Sequence, residues 1–438
     1  MRLRPIISNT NVTWLMIKAG LRSSVGKNAT SLYVIHFANY ILPLITVPYV
    51  VRVLNPSGYG IVAFGQSFIG YFLLLIGYGF SYSATRKISV ARQDSASVNR
   101  TVFSVWAAKF LLCLVGCGVL FLLVHLVPSL RQNRALLFIL YGLTLGDVLF
   151  PTWLYQGMER MVDISIINLL IRLLVVVGIF TLIKRPEDYL WYAGLNSFGS
   201  IAAGLVGAAW AFHLFRLRLV LPSWQEILQA LNEGWMLFLS QASVSLYTVG
   251  NAFILGMLTN ATVVGYYSAG EKIVRAVLGL IAPIGQAAYP RFAKMAANSR
   301  SLAIQWGRRM LILMGGGGAV LSITLLVAAP LMVRLILGSQ YERSINVIRL
   351  LAFLPALVAV SNVLGIQIML PFGKDRLFTS ILILAGLINL LLAFVLIPLW
   401  HEIGMAIAVL VSEMFVTLSM FGSLSICKLN PLARQNKV

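Results

Sequence analysis

TVFSVWAAKFLLCLVGCGVLFLLVHLV, residues 101–127, runs for 27 residues with a single permanently charged side chain, Lys109. As an α-helix rising 1.5 Å per residue it reaches about 40 Å, more than the roughly 30 Å hydrocarbon core of a bilayer. Comparable runs recur at 29–51, 59–83, 135–157, 163–184, 189–215, 234–258, 263–290, 308–329, 346–370, 377–397 and 403–425, so the sequence predicts twelve spans. Composition agrees: 59% of residues are hydrophobic, 11% are charged and the mean hydropathy is +0.88, where a soluble chain carries about 25% charged residues. The runs are continuous and long, without the period-two alternation of barrel strands, and a membrane leaves only helices and closed barrels as spanning structures. The expected fold class is an all-α integral membrane protein.

The formal net charge of +21 raises the question of nucleic acid, and the distribution of Lys and Arg answers it. Taken alternately, the loops on the N-terminal side hold 22 of the 34 basic residues and the opposite loops hold 7. Such asymmetry is the positive-inside signal, which puts both termini in the cytoplasm. The excess is thereby spent on topology and on attraction to anionic headgroups.

The other five basic residues, Lys109, Arg172, Lys272, Arg275 and Arg349, fall inside the apolar runs. A cation there costs several kcal/mol unless it is paired or faces a polar hollow. Arg349 is near enough to a span end to snorkel outward. Lys109 starts about 12 Å from the end of its helix, and Arg172 and Arg275 are near mid-span. Glu271 precedes Arg275 by four residues, the spacing of an intrahelical ion pair, while Lys272 shares a face with Arg275. The remaining acids expected to be buried, Asp147 and Glu413, are candidates for charge pairing or ion coupling. With all three acids matched, two cations are left over. That surplus suits an anionic headgroup such as a phosphate or diphosphate.

Shifting the chain by 205 residues lays NPSGYGIVAFG (55–65) over NATVVGYYSAG (260–270), with Asn55/Asn260, Gly60/Gly265 and Gly65/Gly270 coincident. Six spans in each half make the repeats parallel, two six-helix bundles (29–215 and 234–425) around a central cavity. The alternative is that the two segments mark only similar turns before a helix. A linker at 216–233 has Trp224, Ile227, Leu228 and Leu231 at helical spacing and reads as an interfacial amphipathic helix. Residues 1–28 form a cytoplasmic lead-in without the apolar core of a cleavable signal, and 426–438 a cytoplasmic tail. Kinks are expected at Pro43, Pro48, Pro283, Pro355 and around Gly315–Gly318, the last also suited to close helix packing.

Little in the chain suggests covalent chemistry. Cys113, Cys117 and Cys427 imply no disulfide framework. His36, His125 and His213 are solitary, and no metal-binding or nucleotide-binding pattern occurs, so neither a metal nor a cofactor is expected. Trp153, Tyr155, Trp191, Tyr192, Tyr266 and Tyr267 lie near span ends, where rings form interfacial belts or stack on sugars.

Four blocks carry a resemblance: PLITVPYVVRVLNPSGYG (43–60), YGFSYSATRKISVARQD (78–94), VGYYSAGEKI (264–273) and PIGQAAYPR (283–291). With them the chain resembles Wzx-type polysaccharide flippases of the multidrug/oligosaccharidyl-lipid/polysaccharide (MOP) exporter superfamily over essentially all of its spans. The resemblance implies a substrate of undecaprenyl-diphosphate-linked oligosaccharide, such as an O-antigen unit. It would be moved from the cytoplasmic to the periplasmic leaflet of a bacterial inner membrane by alternating access, coupled to an ion gradient. It also implies a polymerase and a chain-length regulator as neighbours. Arg52, Arg86 and Arg291 match motif positions, with Gly60 and Gly265 in the gating turns. Lys109, Arg172, Lys272 and Arg275 are the residues chosen from the chain itself for a cationic lumen. A drug or cation antiporter of the same superfamily would favour acids in the opening spans, yet residues 29–83 contain no Asp or Glu. A membrane glycosyltransferase or polymerase would need a larger external loop than the short 330–345 segment. A peptidoglycan-precursor flippase is chemically closer but, by resemblance, carries additional spans.

Overall fold

The computed structural model describes residues 24–432, and every regular element among them is helical. The chain runs through α1 (Ser24–Gly77), α2 (Phe80–Val90), α3 (Ser95–Leu126), α4 (Arg134–Leu149), α5 (Met161–Leu182) and α6 (Tyr189–Phe215). It continues as α7 (Trp224–Thr248), α8 (Asn251–Leu258), α9 (Ala261–Leu278), α10 (Ala282–Asn298) and α11 (Arg300–Met332). The last elements are α12 (Ser344–Leu351), α13 (Leu354–Asn362) and α14 (Asp375–Ile426). Eight stretches among the described residues are long and apolar enough to cross a membrane. They are fewer than the expected runs partly because some expected neighbours are joined. Ile45–Val90 and Asp375–Ile426 each count once, although α1 breaks at Asn55 (φ 59) and α14 at His401 (φ 49). In addition, α9 carries three charged residues, and α7 begins on an amphipathic turn.

Local chemistry sets the helix ends. Asn55 combines a positive φ (59°) with the extended ψ (169°) favoured before a proline, and Pro56 then opens the next helical arm. Asn260, its counterpart in the 205-residue shift, caps α9 by accepting the Val263 N–H at 3.1 Å. Asp94 caps α3 through the Ala96 and Ser97 N–H groups. Ser223 and Glu226 form a reciprocal capping box at the start of α7. The Ser223 backbone N–H and hydroxyl hold the Glu226 carboxyl below its ordinary range. The amphipathic segment expected as a separate linker is thus the first three turns of a helix that continues to Thr248. The expected span at 263–290 is likewise divided, since α9 ends at Leu278 and Pro283 sits in the first turn of α10. Pro355 opens α13 in the same way. The side chains of Pro43, His36 and Arg291 lie outside the described residues, as does most of the 1–28 lead-in and the end of the tail.

Packing separates two kinds of surface. Leu170, Leu174 and Val177 on α5, Ile312, Val320 and Val327 on α11, and Leu391 and Val395 on α14 are exposed, and such continuous apolar faces suit acyl chains rather than water. Inside, glycines let helices approach. A Cβ at Gly318 would come within 2.6 Å of the Pro355 carbonyl, so α11 rests directly on α13. The tightest crossing joins α1 to α9: a Cβ at Gly60 would sit 1.8 Å from the Ala261 carbonyl, and one at Gly265 would sit 1.9 Å from that of Pro56. Those two glycines are the pair the 205-residue shift superposes. Near the other end of α1, Gly79 (φ 77) turns the chain against Leu237 and Gly234 of α7. One buried charge serves packing too. The Lys109 ammonium meets the Asp147 carboxylate at 2.9 Å and the Asp147 carbonyl, joining α3 to α4 with the lysine side chain 5% exposed.

Two predictions test this packing. Gly60→Leu or Gly265→Leu forces a side chain into backbone that has no room to yield, and should destabilise the protein by about 3 kcal/mol or more. A lowered thermal midpoint of the detergent-solubilised protein is the readout. Asp147→Ala should cost about 3–5 kcal/mol by stranding a buried ammonium, and the double replacement Lys109→Met/Asp147→Ala should recover most of that loss. Additive losses in the same assay would contradict the pairing.

Candidate functional site

Helix α9 places Glu271, Lys272 and Arg275 beside a cavity of about 720 Å³. Lys272 is eleven residues past Ala261, about 17 Å along the axis and therefore at mid-bilayer depth if α9 starts at the membrane face. The opposite wall comes from α1 through Tyr59, Gln66 and Ser67, and the sides from Thr248 and Ala252 and from Met332 and Ile336. Neither cation is simply aimed at apolar wall. The Lys272 ammonium has the Tyr59 hydroxyl beside it in the cavity lining. Arg275 donates through Nη2 to Glu271 Oε1 at 2.8 Å and to the Thr248 carbonyl. Glu271 also accepts from the Tyr267 hydroxyl at 3.4 Å.

Exposure distinguishes the members of this group. The Arg275 side chain is 52% exposed while that of Glu271 is 17% exposed, so the guanidinium stands between its carboxylate and the hollow. A guanidinium has five N–H donors, and its remaining ones stay available to a ligand. Two cations against one acid leave the lining with a surplus positive charge. Ser67 donates to the Val249 carbonyl at 2.6 Å and accepts the Phe253 N–H at 3.1 Å, which ties α1 to the α7–α8 corner. The buried Ser268 hydroxyl lines the same cavity without a partner.

The other sequence candidates lie elsewhere. Lys109 is engaged with Asp147, and Arg172 lines a separate hollow of about 380 Å³ with Asp147, Asn168 and Asn196. Glu413 accepts the Ser361 hydroxyl at 2.8 Å within the α13–α14 contact, away from both. Arg52 donates to the Leu335 carbonyl, with Gln340 and Tyr341 donating to the carbonyls of Arg52 and Val51 beside it. That motif arginine joins α1 to the segment after α11. Arg86 and Arg349 are exposed on α2 and α12. Of the six aromatics considered for sugars or belts, Trp153, Tyr155, Tyr192 and Tyr267 are buried in protein, which suits neither role; Trp191 is exposed. Tyr266 packs edge-on to Tyr341, and Arg343 lies over its ring. Among the described residues no group of three or more His, Cys, Asp and Glu side chains could hold a metal ion.

Sequence reasoning missed Tyr59, Gln66, Ser67, Thr248 and Ser268. These are neutral side chains that carry no charge signal in an apolar run. Tyr59, inside the GYG turn, had the nearest thing to a marker.

Known proteins give this geometry a context. The fold matches that of the lipid II flippase MurJ in an inward closed conformation, with a TM-score of 0.74 and 11% identity over 91% of this chain and 88% of that one. It also matches a multidrug resistance MATE family transporter of the MOP superfamily in an inward-facing conformation, with a TM-score of 0.62 and 14% identity over 88% and 95% of the two chains. In sequence, a protein of Escherichia coli (strain K12) described as an O-antigen transporter is 32% identical over 90% of this chain and 95% of its own length. One from Shigella dysenteriae, described likewise, is 30% identical over 90% and 98%. The family of polysaccharide biosynthesis proteins matches residues 25–296. The sequence relatives it matches are described as transporters, and the chain itself belongs to the polysaccharide biosynthesis protein family.

Proposed function

We propose that this protein flips oligosaccharides linked to a polyprenyl diphosphate, such as O-antigen repeat units, from the cytoplasmic to the periplasmic leaflet of a bacterial inner membrane. The observation that carries the reading is the cavity with Lys272 and Arg275 on one helix face and a single acid among its charges. Two cations three residues apart on a helix are neighbours at about 5–6 Å, a spacing suited to the two phosphates of a diphosphate. Arginine adds the planar fork that recognises phosphate oxygens. The relatives described as O-antigen transporters supply the substrate class.

In this reading the chain crosses the membrane twelve times, as two six-helix bundles of parallel repeat with both termini in the cytoplasm. The diphosphate enters the cavity while the prenyl tail stays in lipid. Rocking of the bundles about the α1–α9 crossing then exposes the headgroup to the other side. Glu271, the acid within that cavity, is the proposed point of coupling to an ion gradient. Export of cationic drugs is the second reading, and the fold accommodates it. The surplus positive charge of the lining disfavours it, because a cation entering there meets Lys272 and Arg275 before any unpaired carboxylate.

Lys272→Ala should lower surface polysaccharide at least about tenfold in a strain lacking its own copy, a loss matching about 1.4 kcal/mol or more of binding. Membrane levels of the protein should be unchanged, and Lys272→Arg should restore most of the glycan. Full glycan levels in the alanine variant would remove the cavity from the function.

A further inference from the structure

The hollow that holds Arg172 differs from the central cavity in kind. Its walls are single faces of three helices: Leu143, Gly146 and Asp147 of α4 with Phe150 just past its end, Asn168, Ile171, Arg172 and Val175 of α5, and Asn196, Gly199, Ser200 and Ala203 of α6. Each set is spaced i, i+3, i+4, i+7, one stripe of a helix. Glycines make the space. A Cβ at Gly146 would strike Ser200 at 2.2 Å from its Oγ, and one at Gly199 would come within 2.5 Å of Val175, so α4 and α5 both close down on α6.

Within that space stand two primary amides, a hydroxyl, a carboxylate and a guanidinium, all at a depth where hydrocarbon offers none of them a partner. Part of this set is engaged at one edge only. Asn196 donates through Nδ2 to the Tyr192 carbonyl, which leaves its Oδ1 as an acceptor. Ser200 donates to the Leu143 carbonyl, leaving oxygen lone pairs. Asp147 is bound by Lys109 from the buried side, yet its side chain remains 43% exposed. Planar amides, a carboxylate acceptor and an arginine donor form the mixed donor and acceptor set that satisfies vicinal hydroxyls, each of which gives one hydrogen bond and accepts others. An isolated phosphate would call instead for donors alone.

The position of this hollow relates it to the diphosphate site. Both border the second arm of α1: Gln66 lines the central cavity and Leu73 lines the hollow. These residues are seven apart, on the same helix face and about 10 Å along the axis, a distance that a short oligosaccharide covers.

We propose that the α4–α5–α6 hollow is a glycan subsite, in which Asn168, Arg172, Asn196 and Asp147 bind sugar hydroxyls of a substrate whose diphosphate lies at Lys272 and Arg275. The inference rests on the flippase reading and adds a specificity element to it. Selection among repeat units then resides in the N-terminal half, while the second half holds the feature common to all of them.

The test measures binding of two probes to the full-length protein in detergent: bare polyprenyl diphosphate, and polyprenyl diphosphate carrying the oligosaccharide extracted from the strain that expresses the protein. Asn168→Ala and Arg172→Gln should weaken the glycan-bearing probe about tenfold and change the bare probe less than about twofold. Lys272→Ala should weaken both. Asn168→Gln, which keeps the amide, serves as the conservative control and should retain more glycan affinity than Asn168→Ala. Equal weakening of both probes by the α5 variants, or no effect on either, overturns the subsite and leaves the flippase reading standing. Failure of the unaltered protein to bind either probe overturns both.

Discussion

Cations placed within apolar helices constrain this molecule more than any other feature. Each basic side chain inside the apolar helices must be met by a carboxylate, by backbone carbonyls or by a hollow that admits polar matter. The protein uses all three. Lys109 takes the first and second together, with the carboxylate and carbonyl of Asp147. Arg275 takes a carboxylate, a carbonyl and an opening onto the cavity at once. Arg172 stands at the edge of the second hollow. The arrangement of α3, α4, α5 and α9 can be read as the set of positions that makes each of these solutions geometrically available.

The glycine crossings are the counterpart of that constraint. Lipid offers no hydrophobic drive for one apolar helix to leave it for another, so contacts within the bilayer depend on close approach and dispersion. Gly60 against Ala261 and Gly265 against Pro56 bring backbone to backbone. Because the contact is reciprocal, neither helix can shift along the other without lifting off. It includes the turn that carries the cavity residue Tyr59 and lies about two turns from Lys272, close enough for any change in the crossing to be felt by both walls.

Much of the helical content was legible, because an apolar run of twenty or more residues has few other fates, and Lys109 with Asp147 was within reach because acids are scarce. The equivalence of Asn55 with Asn260 and of Gly60 with Gly265 was visible as a register. That the two glycines touch each other was not, since a sequence shift says which positions correspond and nothing about which meet. Depth along a helix placed Arg172 and Arg275 alike near mid-span. It could not separate them, because the azimuth that turns one toward α1 and the other toward α6 is set by neighbouring helices. The aromatics failed for the same reason: proximity to a span end suggested a surface for Trp153 and Tyr155, whereas packing against α6 and the segments beside it buried them. The amphipathic start of α7 was recognised but its continuity was not, as the break expected at residue 233 corresponds to no Pro or Gly strong enough to end a helix there; Gly234 is instead the point where α7 admits Tyr78.

The internal pairing of the cavity cations has a consequence for a transport cycle. A site that held two bare cations in a low-dielectric hollow would bind a dianion so strongly that release would become the slow step, since every electrostatic contact strengthens as water is excluded. Here Lys272 already has Tyr59, and Arg275 already has Glu271 and the Thr248 carbonyl. An arriving diphosphate therefore exchanges one set of partners for another, and a departing one leaves groups whose needs are met at once by their neighbours. Affinity is moderated without loss of charge selectivity, because the surplus positive charge persists throughout. Such a balance lets a single cavity capture an anionic headgroup on one side of a membrane and surrender it on the other.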